Sequence, residues 1–370
     1  MRITCACAAA LLLVLAGCGG ANSSPGGNPD GGNPDGGNPA GGNPAGGNPD
    51  AGNADGGAPA PMVGGIFEQP EPWTKDVSAL AKDARSDAIT AALLALGGWG
   101  NGGKLQIDFS IPLFFADSST PRQTITAPAG GYCYGGLDCD PVPLQFPLPA
   151  NGNTEGSANY SCDTANHDCH VLVVEKVQKK LYELYNATKT SSGFIALGAF
   201  VWDLTKAYPD NLRGDQCTSA DAAGFPIAAL LPTADEVAAG EVKHAIRFIL
   251  PNDRMKRKAY VHPATHAGGP SSADPNAPPY GVRFRLKAAF DENKVAAGGP
   301  RVIVRALKKY GMLLSDGGNL AFTFADDRTA TAKWAAQGID WHSFGAIAVG
   351  DFEVVDLGPE IALNYKCVRN

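Results

Sequence analysis

A mainly β fold, sandwich, jelly-roll-like or barrel-like with a few short helices, follows from three observations. From about residue 105 onward, short runs rich in β-branched and aromatic residues recur. Clusters of Gly, Asn, Asp and Pro separate them, and only three stretches space their apolar residues as a helix would.

Taken in order, the first helix is expected to be capped by Ser78, to turn Leu80, Ala84, Ala88, Ala92 and Leu96 to one face, and to stop at Gly97-Gly98. Strands are expected over 105–115, 142–147, 170–175, 180–185 and 194–203, with 171–185 forming a hairpin about residues 176–179. Thr233 and Glu236 make a Thr-x-x-Glu capping box for a short helix ended by Gly240. Residues 241–250 alternate as a strand, with Val242, His244, Ile246, Phe248 and Leu250 on one face and Glu241, Lys243 and Arg247 on the other. Residues 280–287 alternate likewise, opposing Tyr280, Val282, Phe284 and Leu286 to Arg283, Arg285 and Lys287. A helix begins with Pro300 at its first position and buries Val302, Ile303, Ala306, Leu307 and Tyr310 before Gly311. The last expected hairpin spans 313–324 about Asp316-Gly317-Gly318.

The N-terminus carries an address. Arg2, an apolar run over 8–15 and Leu15-Ala16-Gly17-Cys18 resemble a bacterial lipoprotein signal with its lipobox, and the run is too short to span a bilayer. That resemblance makes 1–17 a removable signal and Cys18 the lipidated first residue of a chain held on the membrane by its acyl groups. Residues 18–61 hold a five-residue Gly-Gly-Asn-Pro repeat with nothing apolar to bury, hence a flexible linker reaching on the order of 40 Å. Residues 62–370 are long enough for the β-rich domain.

The net charge of −7 is partly carried by Asp30, Asp35, Asp50 and Asp55 of the N-terminal segment, which leaves a mild balance for the domain and argues against nucleic acid as a partner. Six cysteines follow Cys18, and an even number in an exported chain favours three disulfides. Cys133 with Cys139 and Cys162 with Cys169 are the local closures, leaving Cys217 with Cys367, although fifteen pairings are formally possible. No Cys-x-x-Cys pair supports zinc, and no cofactor motif stands up. Residues 98–104 match Gly-rich phosphate loops in spelling, but a helix precedes them and a strand follows, the reverse of what aims helix amides at a phosphate.

Nucleophile-elbow, Ser-x-x-Lys and zinc-protease motifs are absent from the sequence. His262 and His266 are four apart, but Pro263 favours a turn over a metal-binding helix. Asp168 and His170 lie two apart, so an extended chain points both to one side, and a carboxylate there would raise and orient the imidazole. His244 sits on an apolar strand face, as a core residue or a cleft acid or base. The Thr218-Ser219 pair can cap a turn ended by Gly224 and Pro226, which would set Asp221 on a rigid elbow.

The segments Asp168-Cys169-His170, Thr218-Ser219-Ala220-Asp221-Ala222-Ala223-Gly224, Gly240-Glu241-Val242-Lys243-His244-Ala245, Pro263-Ala264-Thr265-His266 and Ala306-Leu307-Lys308-Lys309-Tyr310-Gly311-Met312 together resemble a family of uncharacterised exported bacterial proteins of soil bacteria, often found beside carbohydrate-active modules. The resemblance covers roughly residues 106–356. It implies an extracytoplasmic address and marks Glu155, Asp168, His170, Asp221, Glu241, His244 and His266 as chemistry-bearing positions. Where relatives carry a tryptophan just before the Thr-Ser-Ala-Asp stretch, this chain has Cys217.

These readings lead to an expected lipid-anchored enzyme that hydrolyses extracellular polysaccharide with paired carboxylates. Asp221 and Glu155 are the expected working pair, with Asp168, His170 and His244 as further catalytic candidates and Glu241, His266, Arg283, Arg285 and Tyr310 as substrate-binding ones. One alternative is a lyase, in which His244 or Tyr310 abstracts a proton while Arg283, Arg285 and Lys287 neutralise uronates. Another is a non-catalytic surface binder or envelope protein using Trp99, Trp202, Trp334 and Trp341.

Overall fold

In a computed structural model of the chain, residues 65–133 and 136–370 are described; the expected signal, Cys18 and the repeat lie outside them. Two six-stranded mixed sheets dominate. The first sheet contains β1 (Ile107–Ile111), β8 (Ile246–Leu250), β10 (Arg283–Leu286), β11 (Met312–Gly317), β12 (Phe322–Ala325) and β13 (Phe352–Val355), ordered β1-β12-β8-β11-β10-β13. The second contains β2 (Leu113–Ala116), β3 (Arg122–Thr126), β4 (Leu144–Pro147), β5 (Val171–Glu175), β6 (Lys180–Thr190) and β7 (Gly193–Asp203), ordered β2-β5-β6-β7-β3-β4. A short pair joins β9 (Ala259–Tyr260) to β14 (Ile361–Ala362), and the helices are α1 (Ser86–Ala95), α2 (Ala234–Ala238) and α3 (Gly299–Lys309).

The β-rich, sandwich-like class is therefore as expected. Alternation explains the layers: Leu172 and Val174 of β5 face a core shared with Trp202, Phe248, Phe284 and Phe322, whereas Val171 and Val173 face a second core with Phe146, Leu184 and Phe194. The strand expected over 105–115 is two strands, because Pro112 cannot donate to a ladder; β1 joins one sheet and β2 the other. The β5–β6 hairpin, the α2 capping box and α3 form where expected.

Other elements differ. Helix α1 starts at Ser86, because the Arg285 guanidinium ties up the carbonyls of Val77, Ser78 and Leu80 that a longer helix would need. Residues 313–324 do not form a hairpin: β8 lies between β11 and β12, parallel to one and antiparallel to the other. Only the second half of 241–250 is strand, and β8 is buried on both faces, as a central strand must be. At residues 98–104 the chain is a packed turn; a Cβ on Gly100 would stand 1.9 Å from the Asn319 carbonyl oxygen.

Three disulfides form, Cys133–Cys139, Cys162–Cys169 and Cys217–Cys367, as the local-closure pairing anticipates. They fit an oxidising, extracytoplasmic compartment. Among the described residues no helix is long and apolar enough to cross a membrane.

Candidate functional site

A polar row crosses one face of the first sheet. Asp108 on β1 pairs in register with Thr323 on β12, and the antiparallel Phe322–Phe248 pair sets Thr323 opposite Arg247 on β8. A bulge in β11 completes the row: the register steps from Leu314–Phe248 to Asp316–Ile249, so the extra residue turns Asp316 rather than Ser315 to the Arg247 side.

Arg247 is fully enclosed and spends its donors on three elements. Its Nε donates to Asp221 Oδ1 (2.8 Å), Nη1 to Thr323 Oγ1 (2.9 Å) and Nη2 to Asp316 Oδ2 (2.9 Å). Burial works against its charge, but Asp221 and Asp316 outweigh it and hold the guanidinium protonated. For Asp221, which is 0 % exposed, burial pushes the pKa up to about 7 in spite of Arg247 and with the help of Asp316. Asp316 is raised by the same burial, Arg247 opposing and Asp168 adding to it. The Asp108 carboxyl is raised too, by burial above all and by Glu155 in part.

The second sheet brings the opposing wall in the loops that lead into β5. His170 Nδ1 lies 2.6 Å from Glu155 Oε2, while Nε2 lies 2.9 Å from the Ala220 carbonyl on the Asp221 turn. Ser110 donates to the other Glu155 oxygen at 3.2 Å. Burial disfavours charge on both partners, yet their mutual attraction dominates: His170 rises to about 9 and Glu155 falls to about 2. The Cys162–Cys169 disulfide staples this segment just before His170.

Between the walls lie three adjoining cavities of about 540, 500 and 180 Å³. Asp168, exposed at the start of the β5 segment, lines all three. Glu155, Asp108, His170, Arg247 and Asp316 line the smallest one, and Tyr185, His266 and Tyr365 line the largest. His266 donates from Nδ1 to the Ala222 carbonyl (3.1 Å), and burial lowers its pKa.

The chain matches no family model, no curated protein and no solved structure.

Five of the expected site residues thus meet at one cleft: Glu155, Asp168, His170 and His266 on its surface and Asp221 behind Arg247. The others lie elsewhere. His244 sits against Glu236 (3.4 Å) beside α2. Glu241 is exposed near Lys243 and Lys309. Arg283, expected on a substrate-facing stripe, is buried and donates to the carbonyls of Pro72, Lys75 and Tyr310. Arg285 pairs with Glu353 (2.6 Å), and Tyr310 is buried where α3 ends. Central strand β10 has no solvated face, so its arginines serve as backbone caps. Trp99, Trp202 and Trp334 are core residues, and Trp341 is 48 % exposed.

Sequence reasoning overlooked Asp108, Arg247 and Asp316. Arg247 carried a usable signal, a lone cation within the apolar run Ala245-Ile246-Arg247-Phe248-Ile249-Leu250, since a charge in a buried strand requires partners. Among the described residues, three or more potential ligand atoms cluster within 4.8 Å only at Asp138, Cys217 and Cys367, and those two sulfurs are spent on a disulfide.

Proposed function

We propose that this protein is a lipid-anchored, extracytoplasmic glycoside hydrolase whose reaction takes place in the cleft between the two sheets. The observation that carries the reading is that Glu155 and Asp316 border one cavity with proton affinities displaced in opposite directions, Glu155 down to about 2 and Asp316 up. Glycosidic cleavage uses two carboxyl groups whose proton affinities are held apart, the one that ionises less readily serving as the acid.

In this assignment the Asp316 carboxylic acid protonates the glycosidic oxygen as the bond to the anomeric carbon breaks. Glu155 stabilises the positive charge developing on that carbon and takes a proton from the water that bonds to it, while the leaving alcohol keeps the proton given by Asp316. Asp168, at the meeting point of the cavities, binds the sugar beside the scissile bond. Arg247 and His170 are positioning residues, and Asp221 holds Arg247 in place rather than reacting itself. The residues on which a lyase would depend, His244, Tyr310, Arg283 and Arg285, lie outside the cleft, which favours hydrolysis. The lipobox-like Leu15-Ala16-Gly17-Cys18 and the following repeat support an anchored enzyme working on bulky substrate.

The test is a polysaccharide panel assayed both for new reducing ends and for ultraviolet-absorbing unsaturated ends. Reducing ends alone are expected, and Glu155→Gln or Asp316→Asn should each lower kcat by about 10²-fold or more. Unsaturated ends, or full activity in both variants, would overturn the assignment.

A further inference from the structure

We infer that the cleft accepts a glycan carrying free amino groups, a polycationic amino-sugar chain, in preference to an acetylated or uronic one. The inference rests on the hydrolase reading of the same cleft and specifies its substrate.

Charge is the first argument. Among the described residues lining the three cavities, Asp108, Asp138, Glu155, Asp168 and Asp316 carry carboxyl groups, whereas Arg247 is the only Lys or Arg. Arg247 is already committed to Asp221 and Asp316, and the cationic His170 to Glu155. A uronate would therefore bring a further anion to walls with no free cation, at a cost that narrow, weakly solvated walls enlarge. An ammonium would be drawn to Glu155 and Asp168 and would relieve the repulsion by which Glu155 helps raise Asp108.

Shape is the second argument. The largest cavity adds the means of holding a sugar ring, with Tyr185, Tyr365 and His266 beside Asp138.

Titration calorimetry of the full-length protein with a glucosamine hexasaccharide, its fully N-acetylated counterpart, a hexauronate and hexalysine tests the inference. The free-amine sugar should bind at least about tenfold more tightly than the acetylated one, and salt should erode that margin. In Asp168→Asn and in Asp138→Asn, both checked for folding by thermal melting, the preference should shrink toward unity. Equal binding of the two sugars, stronger binding of the uronate, hexalysine binding as tightly as the amino sugar, or no binding at all would overturn it. Reducing ends measured in the same samples keep the two readings apart. Cleavage without amine preference removes this inference alone, and amine preference without cleavage of any glycan removes the hydrolase.

Discussion

His170 and Glu155 form an ion pair whose geometry fixes the imidazole as a cation. Nδ1 faces the carboxylate at 2.6 Å and Nε2 faces the Ala220 carbonyl at 2.9 Å; both oxygens accept, so both ring nitrogens carry hydrogen. His170 is 2 % exposed and Glu155 19 %, so the pair is mostly withdrawn from water.

Glu155→Gln should therefore bring the His170 pKa from about 9 to below its ordinary 6.5, since burial is then the dominant influence left. Histidine proton shifts followed by NMR across pH would measure it. The stability cost should be roughly 3 kcal/mol, the low end for a broken buried pair. The sign of the pH dependence follows from the shifts. The raised His170 contributes fully below 6.5 and loses that contribution as pH rises through about 9. The depressed Glu155 contributes fully above 4.5 and loses it as pH falls through about 2. Wild-type Tm should fall between pH 6.5 and 9, and that fall should be missing from the variant.

Arg247→Met should destabilise by about 3–5 kcal/mol, because Asp221 is left buried with no cation. Adding Asp221→Asn should restore part of the loss by removing the stranded charge. Urea unfolding of the two single variants and the double variant decides this; additive losses would mean that the two residues are not energetically coupled.

Glu183 is fully buried, with one oxygen accepting from Trp202 Nε1 and the other from the Ala228 amide, both at 3.0 Å. Burial raises its pKa to about 7, in spite of those two hydrogen bonds. A raised acid contributes stability below its ordinary 4.5 and loses it as pH rises through about 7. Glu183→Gln should remove that slope, and should cost roughly 1–3 kcal/mol at acid pH by turning an amide NH₂ toward a donor. Thermal melting with Trp202 fluorescence from pH 4 to 8 would record both effects.

The disulfides divide their labour. Cys217–Cys367 spans 150 residues and Cys162–Cys169 only 7, so chain entropy assigns them about 5 and about 2 kcal/mol. Cys217→Ser with Cys367→Ser should lower Tm the more. Cys162→Ser with Cys169→Ser should instead reduce kcat more than stability, because it frees the segment holding Asp168 and His170. Equal effects of the two pairs on kcat would contradict that division.

Features set by neighbours along the chain were legible in the sequence: the capping box of α2, Pro300 at the start of α3, the β5–β6 hairpin and the local disulfides. What depended on a strand inserted from elsewhere was not. Asp316 read as a hairpin turn residue because β8, which separates β11 from β12, ends 62 residues before the one and 72 before the other. Arg247, Arg283 and Arg285 read as a solvated face because a period of two reports which side a residue points to, not whether water is there. Asp221 stood out as a carboxylate in a turn that Gly224 and Pro226 end, Asp168 and His170 as a carboxylate and an imidazole two apart, and Glu155 through the resemblance alone.

The division of the chain at Pro112 also sets an order of assembly. Every strand of the second sheet lies within residues 113–203, so that sheet can close from a short contiguous stretch. Strand β1 must wait for β12, more than two hundred residues downstream, before Asp108 has Thr323 and Arg247 beside it. Low contact order forms early and high contact order late. Amide protection during refolding should thus arise in β5–β7 before β1. A cleft that needs β1, β8 and β12 side by side cannot be complete on a growing chain until residues 322–325 have been made.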